Sequence, residues 1–312
     1  MLRGRVLRAT LPKGSVGSLS VTRAYSVHPG QPSARGSSRR LFWFALTTAS
    51  AGIGYWAGAK YPPPAIPFVF SPYSTEVRNL SQEAKNEHTR EIEKGLHEIP
   101  LVKELAQVSY ETKSARGVRE SFAIAQPAET VPENEAEYLI VRPFVHSPPE
   151  RLARQFTAGS LRGPGMFATT PLVFSKTKLG AQKRGGREGD TIAFVHIGKN
   201  MCGFEGVVHG GLIATMFDEV LARASFYALP SMVGVTAKLE VNYRRPTYAD
   251  RYFVMESHVT DNSGRKVFTT GEFREANKDT VLATADAVFV EPKFAKYLTW
   301  VGGLNVRKLM EE

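Results

Sequence analysis

The stretch His209-Gly210-Gly211-Leu212-Ile213-Ala214-Thr215-Met216-Phe217-Asp218-Glu219-Val220-Leu221-Ala222 decides how the rest of the chain is read. It predicts a helix that starts at the glycines and is apolar on nearly every side. Two features are foreign to an ordinary core helix. Paired glycines cost helix stability, but they let a ligand approach free backbone N–H groups at the positive helix end. Asp218 lies two turns in, among Met216, Phe217, Val220 and Leu221. A carboxylate in such company is expensive unless it is paired or used.

A bare donor site and a carboxylate on one helix suit acyl transfer. The N–H groups of Gly210 and Gly211 can hold the carbonyl oxygen of a thioester, and Asp218 can position or deprotonate the attacking water. Eight residues of helix separate Gly210 from Asp218, roughly 12 Å at about 1.5 Å per residue. One carbonyl cannot touch both groups of the same helix. If both act, Asp218 comes from a second copy, in a two-fold dimer with antiparallel helices. A capped core helix with a satisfied Asp is the equally weighted alternative. Glu219, about 100° further round the helix, is the substitute base and is expected to face away from the site.

Working outward, residues 166–176 and 191–198 read as strands, joined by a Gly- and Lys-rich loop from Gly180 to Asp190. The loop from Lys199 to Val208 leads into the helix. Four strands follow, at about 233–244, 251–260, 265–275 and 280–290, with Asn262-Ser263-Gly264 as a hairpin turn. In the first of these Val235, Leu239, Val241 and Tyr243 alternate with Thr236, Lys238, Glu240 and Asn242, so the second set belongs to the polar face. Two strands, a helix and four strands make an α+β fold, with one long helix wrapped by an antiparallel sheet.

The helix, followed by Gly234-Val235-Thr236-Ala237-Lys238-Leu239-Glu240-Val241-Asn242-Tyr243-Arg244-Arg245-Pro246 and later by Gly264-Arg265-Lys266, resembles the hotdog-fold acyl-CoA thioesterases of the PaaI type, above all their mitochondrial, fungal-type members. The resemblance covers about residues 150 to 292. It implies a homodimeric hydrolase that splits a fatty acyl-CoA to free acid and coenzyme A without cofactor, metal or covalent intermediate. It implies catalytic roles for Asp218, Gly210, Gly211 and His209, the last orienting the loop or the bound carbonyl. It matches Thr236 to a threonine that assists the water. Arg265 and Lys266 are candidates for the coenzyme A phosphates, with Arg244 and Arg245 behind them. The chain carries two extra residues between Asp218 and Thr236, around Leu229-Pro230-Ser231. A non-catalytic acyl-CoA binder or membrane scaffold that keeps the fold is the competing class.

Other chemistry has no support. The seven histidines show no metal-ligand spacing, and there is no G-x-S-x-G elbow or P-loop. Gly163-Pro164-Gly165-Met166-Phe167-Ala168 lacks the strand and helix of a dinucleotide fingerprint. Cys202, the single cysteine, excludes an intrachain disulfide and a Cys-cluster zinc site, and reads as a loop thiol.

The net charge of +10 first suggests nucleic acid as a partner, but its distribution does not. Arg3, Arg5, Arg8, Lys13, Arg23, Arg35, Arg39 and Arg40 all lie in residues 1–40, which hold no Asp or Glu. Residues 1–25 are expected to be a mitochondrial transit peptide, with Arg23-Ala24-Tyr25-Ser26 at its end, and 26–40 a basic flank. The uncharged run 41–59 is just long enough to span the ~30 Å hydrocarbon core, with Trp43, Tyr55 and Trp56 toward its ends. Residues 60–150 are expected to form a proline-rich linker and a solvated helical arm, the latter split into two helices at Pro100. The thioesterase domain is then 151–292 and the C-terminal tail 293–312.

Arg35, Arg39 and Arg40 precede the span and only Lys60 closely follows it, so the positive-inside bias keeps the N-terminal flank in the matrix. An inner-membrane, single-pass protein with its catalytic domain in the intermembrane space is the result. Protease added to mitoplasts with a ruptured outer membrane should therefore digest the domain. Survival until detergent is added puts the domain in the matrix.

Overall fold

A computed structural model describes residue 50 and residues 81–125 and 131–295. The chain divides into Met1–Pro62 and Pro63–Glu312, and all described residues except Ser50 belong to the second unit. Apart from Ser50, the expected transit peptide, basic flank and membrane span therefore lie outside the described residues. Among the described residues no helix is long and apolar enough to cross a membrane.

The second unit opens with helix α1 (Gln82–Glu98) and helix α2 (Pro100–Ala106). Ser81 caps α1 through its side chain, and Pro100 starts α2 where its missing N–H is harmless. Strand β1 (Ser109–Glu111), helix α3 (Lys113–Ser121) and strand β2 (Tyr138–Val141) follow, then the single turn α4 (Pro149–Leu152). Next come β3 (Leu172–Lys176), α5 (Lys178–Arg184) and β4 (Thr191–Ile197). The short hairpin β5 (Cys202–Phe204) and β6 (Val207–Val208) turns at Gly206 and leads into the long helix α6 (Gly210–Ala228). The chain finishes with β7 (Val235–Tyr243), β8 (Arg251–Ser263), β9 (Lys266–Glu275) and β10 (Val281–Val290).

Eight strands form one sheet in the order β1-β2-β3-β4-β8-β9-β10-β7. Only the β1–β2 pair is parallel. Alternation along the strands sends side chains to two buried faces. On one face Val195, Phe253, Met255, Phe273 and Phe289 meet Leu212, Ile213, Met216, Phe217 and Leu221 of α6. Small residues let the helix come close: Ala283, Ala285 and Ala287 are fully or almost fully buried beneath it. A Cβ on Gly271 would lie 2.8 Å from the Glu256 carbonyl oxygen and 3.0 Å from Leu221. This is the α+β, hotdog-like arrangement, a long helix laid on an antiparallel sheet.

The other face corrects the reading of residues 60–150. Their described part is not a solvated arm set apart by a linker. Leu96, Ile99, Val102 and Leu105 pack on Tyr138, Ile140, Phe174, Phe194 and Val254, and β2 is paired to β3. The expected boundary at 150 thus falls inside the sheet. The charges of α1 concealed its apolar stripe, and the prolines around β2 concealed a strand. Three further differences are local. Residues 166–171 precede the strand rather than belonging to it. Part of the expected 180–190 loop is α5, capped by Thr177 on Gly180 N at 3.0 Å. The 199–208 loop contains the β5–β6 hairpin.

His196, on β4, lies 6% exposed with its ring edge-on to Tyr252 and its Nε2 3.5 Å from Asp250. Burial lowers its pKa from 6.5 to about 4, against the pull of Asp250. The unfolded chain therefore takes up this proton first, and stability falls as pH drops from 6.5 to about 4. The full effect is roughly 3 kcal/mol at the acid end. Urea unfolding across that range should show a shallower pH slope for His196→Phe than for the unmodified chain; equal slopes rule out this source.

Candidate active site

Helix α6 begins at His209, whose backbone leaves the helical region and whose Nδ1 accepts the Gly211 N–H at 2.9 Å. The His209 carbonyl accepts from Leu212 N at 2.9 Å and Ile213 N at 3.4 Å. Of the four N–H groups at this helix end, that of Gly210 is left over among the described residues. Gly211 was expected to offer its N–H to a substrate as well, but the His209 ring occupies it. The Gly210 carbonyl accepts from the Tyr243 hydroxyl at 2.7 Å, and a Cβ on Gly210 would sit 3.4 Å from that ring. Phe204, Gly210, Tyr243, Arg244 and Arg245 line a surface pocket of about 460 Å³.

Asp218 lies elsewhere, on the wall of a larger cavity of about 830 Å³. Its Oδ1 accepts from the Thr236 hydroxyl at 2.7 Å. Simple alternation had assigned Thr236 to the face away from the helix. A bulge reverses that. Val288 of β10 stands opposite Lys238, but the next residue, Phe289, stands opposite Thr236, so Ala237 is an extra residue in β7. Thr236 is thereby brought to the face of Phe289, which is buried under α6. Val195, Met216, Met255 and Phe289 give the cavity its apolar walls.

Glu219 also lines this cavity and does not face away from it, as had been expected. Its carboxylate accepts from the Thr157 hydroxyl. Desolvation raises its pKa above the ordinary glutamate value, opposed by Thr157 and by the charge of Arg223 one turn on. Arg142, Arg162 and Arg223 also line this cavity. Glu219 and Arg223 lie one turn apart on α6, whereas Arg142 and Arg162 come from other segments and carried no spacing signal.

The remaining sequence candidates separate by end of the helix. Arg244 and Arg245 accompany Gly210, not Asp218. Arg265 donates from Nη1 to the Glu291 carbonyl at 3.0 Å, and exposed Lys266 pairs in register with Ser263 and Val290. Burial pushes the Cys202 thiol pKa up, which holds it in the protonated, poorly nucleophilic form.

A thioesterase superfamily model matches residues 205–282. A UPF0644 protein of Schizosaccharomyces pombe is 35% identical over 49% of this chain and 59% of its own length. An uncharacterized mitochondrial protein of Candida albicans is 31% identical over 50% of this chain and 69% of its own. The acyl-coenzyme A thioesterase THEM4 of Mus musculus is 30% identical over 35% of this chain and 46% of its own. The chain thus spans about half to two thirds of the length of these relatives.

Removing the Thr157 hydroxyl withdraws a bond that favours the charged form of Glu219. A carboxyl carbon-13 titration of the Thr157→Val variant should show Glu219 titrating at higher pH than in the unmodified chain. No displacement means the hydroxyl does not act on that carboxylate.

Proposed function

We propose, for a chain that belongs to the thioesterase superfamily, that it hydrolyses an acyl-CoA thioester to the free acid and coenzyme A. The observation that carries this reading is the Thr236–Asp218 hydrogen bond on the wall of a largely apolar cavity. That bond occupies Oδ1 and leaves Oδ2 to hold a water. The water oxygen attacks the thioester carbonyl carbon while Asp218 takes its proton. The carbonyl oxygen gathers negative charge against the Gly210 N–H at a helix N-terminus. The C–S bond then breaks, and the departing thiolate recovers the proton.

The Gly210 in question belongs to a second copy. Within one chain, Gly210 and Asp218 are roughly 12 Å apart along α6 and open into different pockets. What supports a homodimer is β7, the last strand of the sheet, with Val235 and Tyr243 each 53% exposed. Such an edge invites a partner. Each site then combines Asp218 and Thr236 of one protomer with His209, Gly210, Arg244 and Arg245 of the other. Gly211 acts through the His209 cap, and the arginines lie where coenzyme A phosphates leave the site. Arg265 and Lys266 are outlying contacts for the same phosphates. The domain works in mitochondria, anchored in the inner membrane through residues 41–59 and facing the intermembrane space. The acid-free leader supports that placement, as does the mitochondrial name of the Candida albicans relative.

Asp218→Asn should keep the fold and ligand binding yet lower turnover by roughly two orders of magnitude, as for a lost positioned base. Mixing Gly210→Val with Asp218→Asn subunits should restore part of the activity, since some mixed dimers hold one intact site. An active monomer by light scattering would sink the shared site. Acyl-CoA binding without turnover in the unmodified chain would identify a non-catalytic binder.

A further inference from the structure

The cavity that holds Asp218 and Thr236 carries another group that hydrolysis leaves unused. Arg142 and Arg162 both line it. Arg142 is 1% exposed and is paired with the buried Glu93. Arg223, which also lines the cavity, feels the carboxylate of Glu219. Arg162 has no ion-pair partner among the described residues. Its Nη1 is buried and, among the described residues, makes no hydrogen bond. Burial and the nearby Arg142 charge both disfavour its protonated form, and distant Glu93 only partly offsets them. The side-chain oxygen of Gln155, which also lines the cavity, is likewise buried without a described partner. Turned over, that amide supplies a further donor.

A wholly hydrocarbon acyl tail would leave this charge unbalanced and its buried Nη1 unpaired, which is costly. A carboxylate answers both deficits at once, because it matches the charge and can accept two N–H bonds from one guanidinium. We propose that the cavity takes acyl groups that end in a carboxylate, and that Arg162 pairs with that far end. The substrates are then CoA thioesters of dicarboxylic acids, the reacting carbonyl lying toward Asp218 and the free carboxylate toward Arg162. This rests on reading the cavity as the acyl site of the hydrolase described above. Arg162 is a specificity residue and takes no part in bond breaking.

The test compares kcat/KM for succinyl-, adipyl-, suberyl- and sebacyl-CoA with butyryl-, hexanoyl-, octanoyl- and decanoyl-CoA, pair by pair. The full chain should favour the dicarboxylyl member of at least one pair by about tenfold or more, as expected for a charge-assisted hydrogen bond. Arg162→Met should bring that ratio near one; Arg162→Lys, which keeps the charge, should hold part of it and replaces the Met variant if that does not fold. No preference in the unmodified chain overturns the proposal, as does a ratio unchanged by Arg162→Met. An equal loss for both members assigns Arg162 to the coenzyme A phosphates and overturns it as well. If no CoA ester is hydrolysed, the thioesterase reading fails, and calorimetric titration with free suberate and octanoate decides the site by itself. Tighter binding of suberate, lost in Arg162→Met, sustains the carboxylate site; equal or absent binding overturns it.

Discussion

The ion pair between Glu93 and Arg142 ties α1 to two segments that line the cavity. Glu93 comes from α1, Arg142 follows directly on β2, and the Arg142 Nη1 also donates to the Thr170 carbonyl at 2.7 Å, just before β3. His97, one turn along α1, stands 3.3 Å from the same Glu93 oxygen. Burial alone would raise the Glu93 carboxyl, but Arg142 and His97 outweigh it and hold it below the ordinary glutamate range. A pair this deep offsets its own desolvation only while both partners are present. Losing one costs about 3–5 kcal/mol, because a bare charge is left behind. The pair therefore specifies where α1 sits more than it adds to stability.

Docking of α1 has a second requirement. The Tyr252 hydroxyl reaches the Ile92 carbonyl at 3.2 Å, and it passes where a Cβ on residue 95 would be, only 2.0 Å away. Gly95 is thus the residue that lets Tyr252 and α1 meet. With α1 seated, both faces of the sheet are covered near β4 and β8, and the segment from Arg142 to Thr170 is fixed over α6. Through Glu93 that placement also fixes Arg142, one of the residues that line the cavity.

On the opposite side, depth is set by small residues. Ala283, Ala285, Ala287 and Gly271 let α6 lie close to the sheet, so Asp218 comes within reach of a β7 side chain. Which side chain it meets depends on the bulge at Ala237. Without that extra residue, Thr236 would point away from the helix and Asp218 would lose its donor. Two ends of α6 with different chemistry result, a carboxylate end at Thr236 and a donor end at Gly210.

The sequence by itself determined the long apolar helix, its glycine start, the four strands after it and the split at Pro100, because periodicity and helix signals are local. It also marked Asp218 and Gly210 as unusual, since each breaks a local rule. It misread Thr236, because a bulge shifts the period by one residue without any compositional mark. It missed β2 and the packing of α1, whose stabilisation is supplied by partners far along the chain. Glu219 lies more than fifty residues from Arg142 and Arg162, and the three line one cavity only once the chain has folded. Such a meeting is decided by the tertiary packing of α1 and α6 on the sheet, for which no spacing within a segment gives a sign.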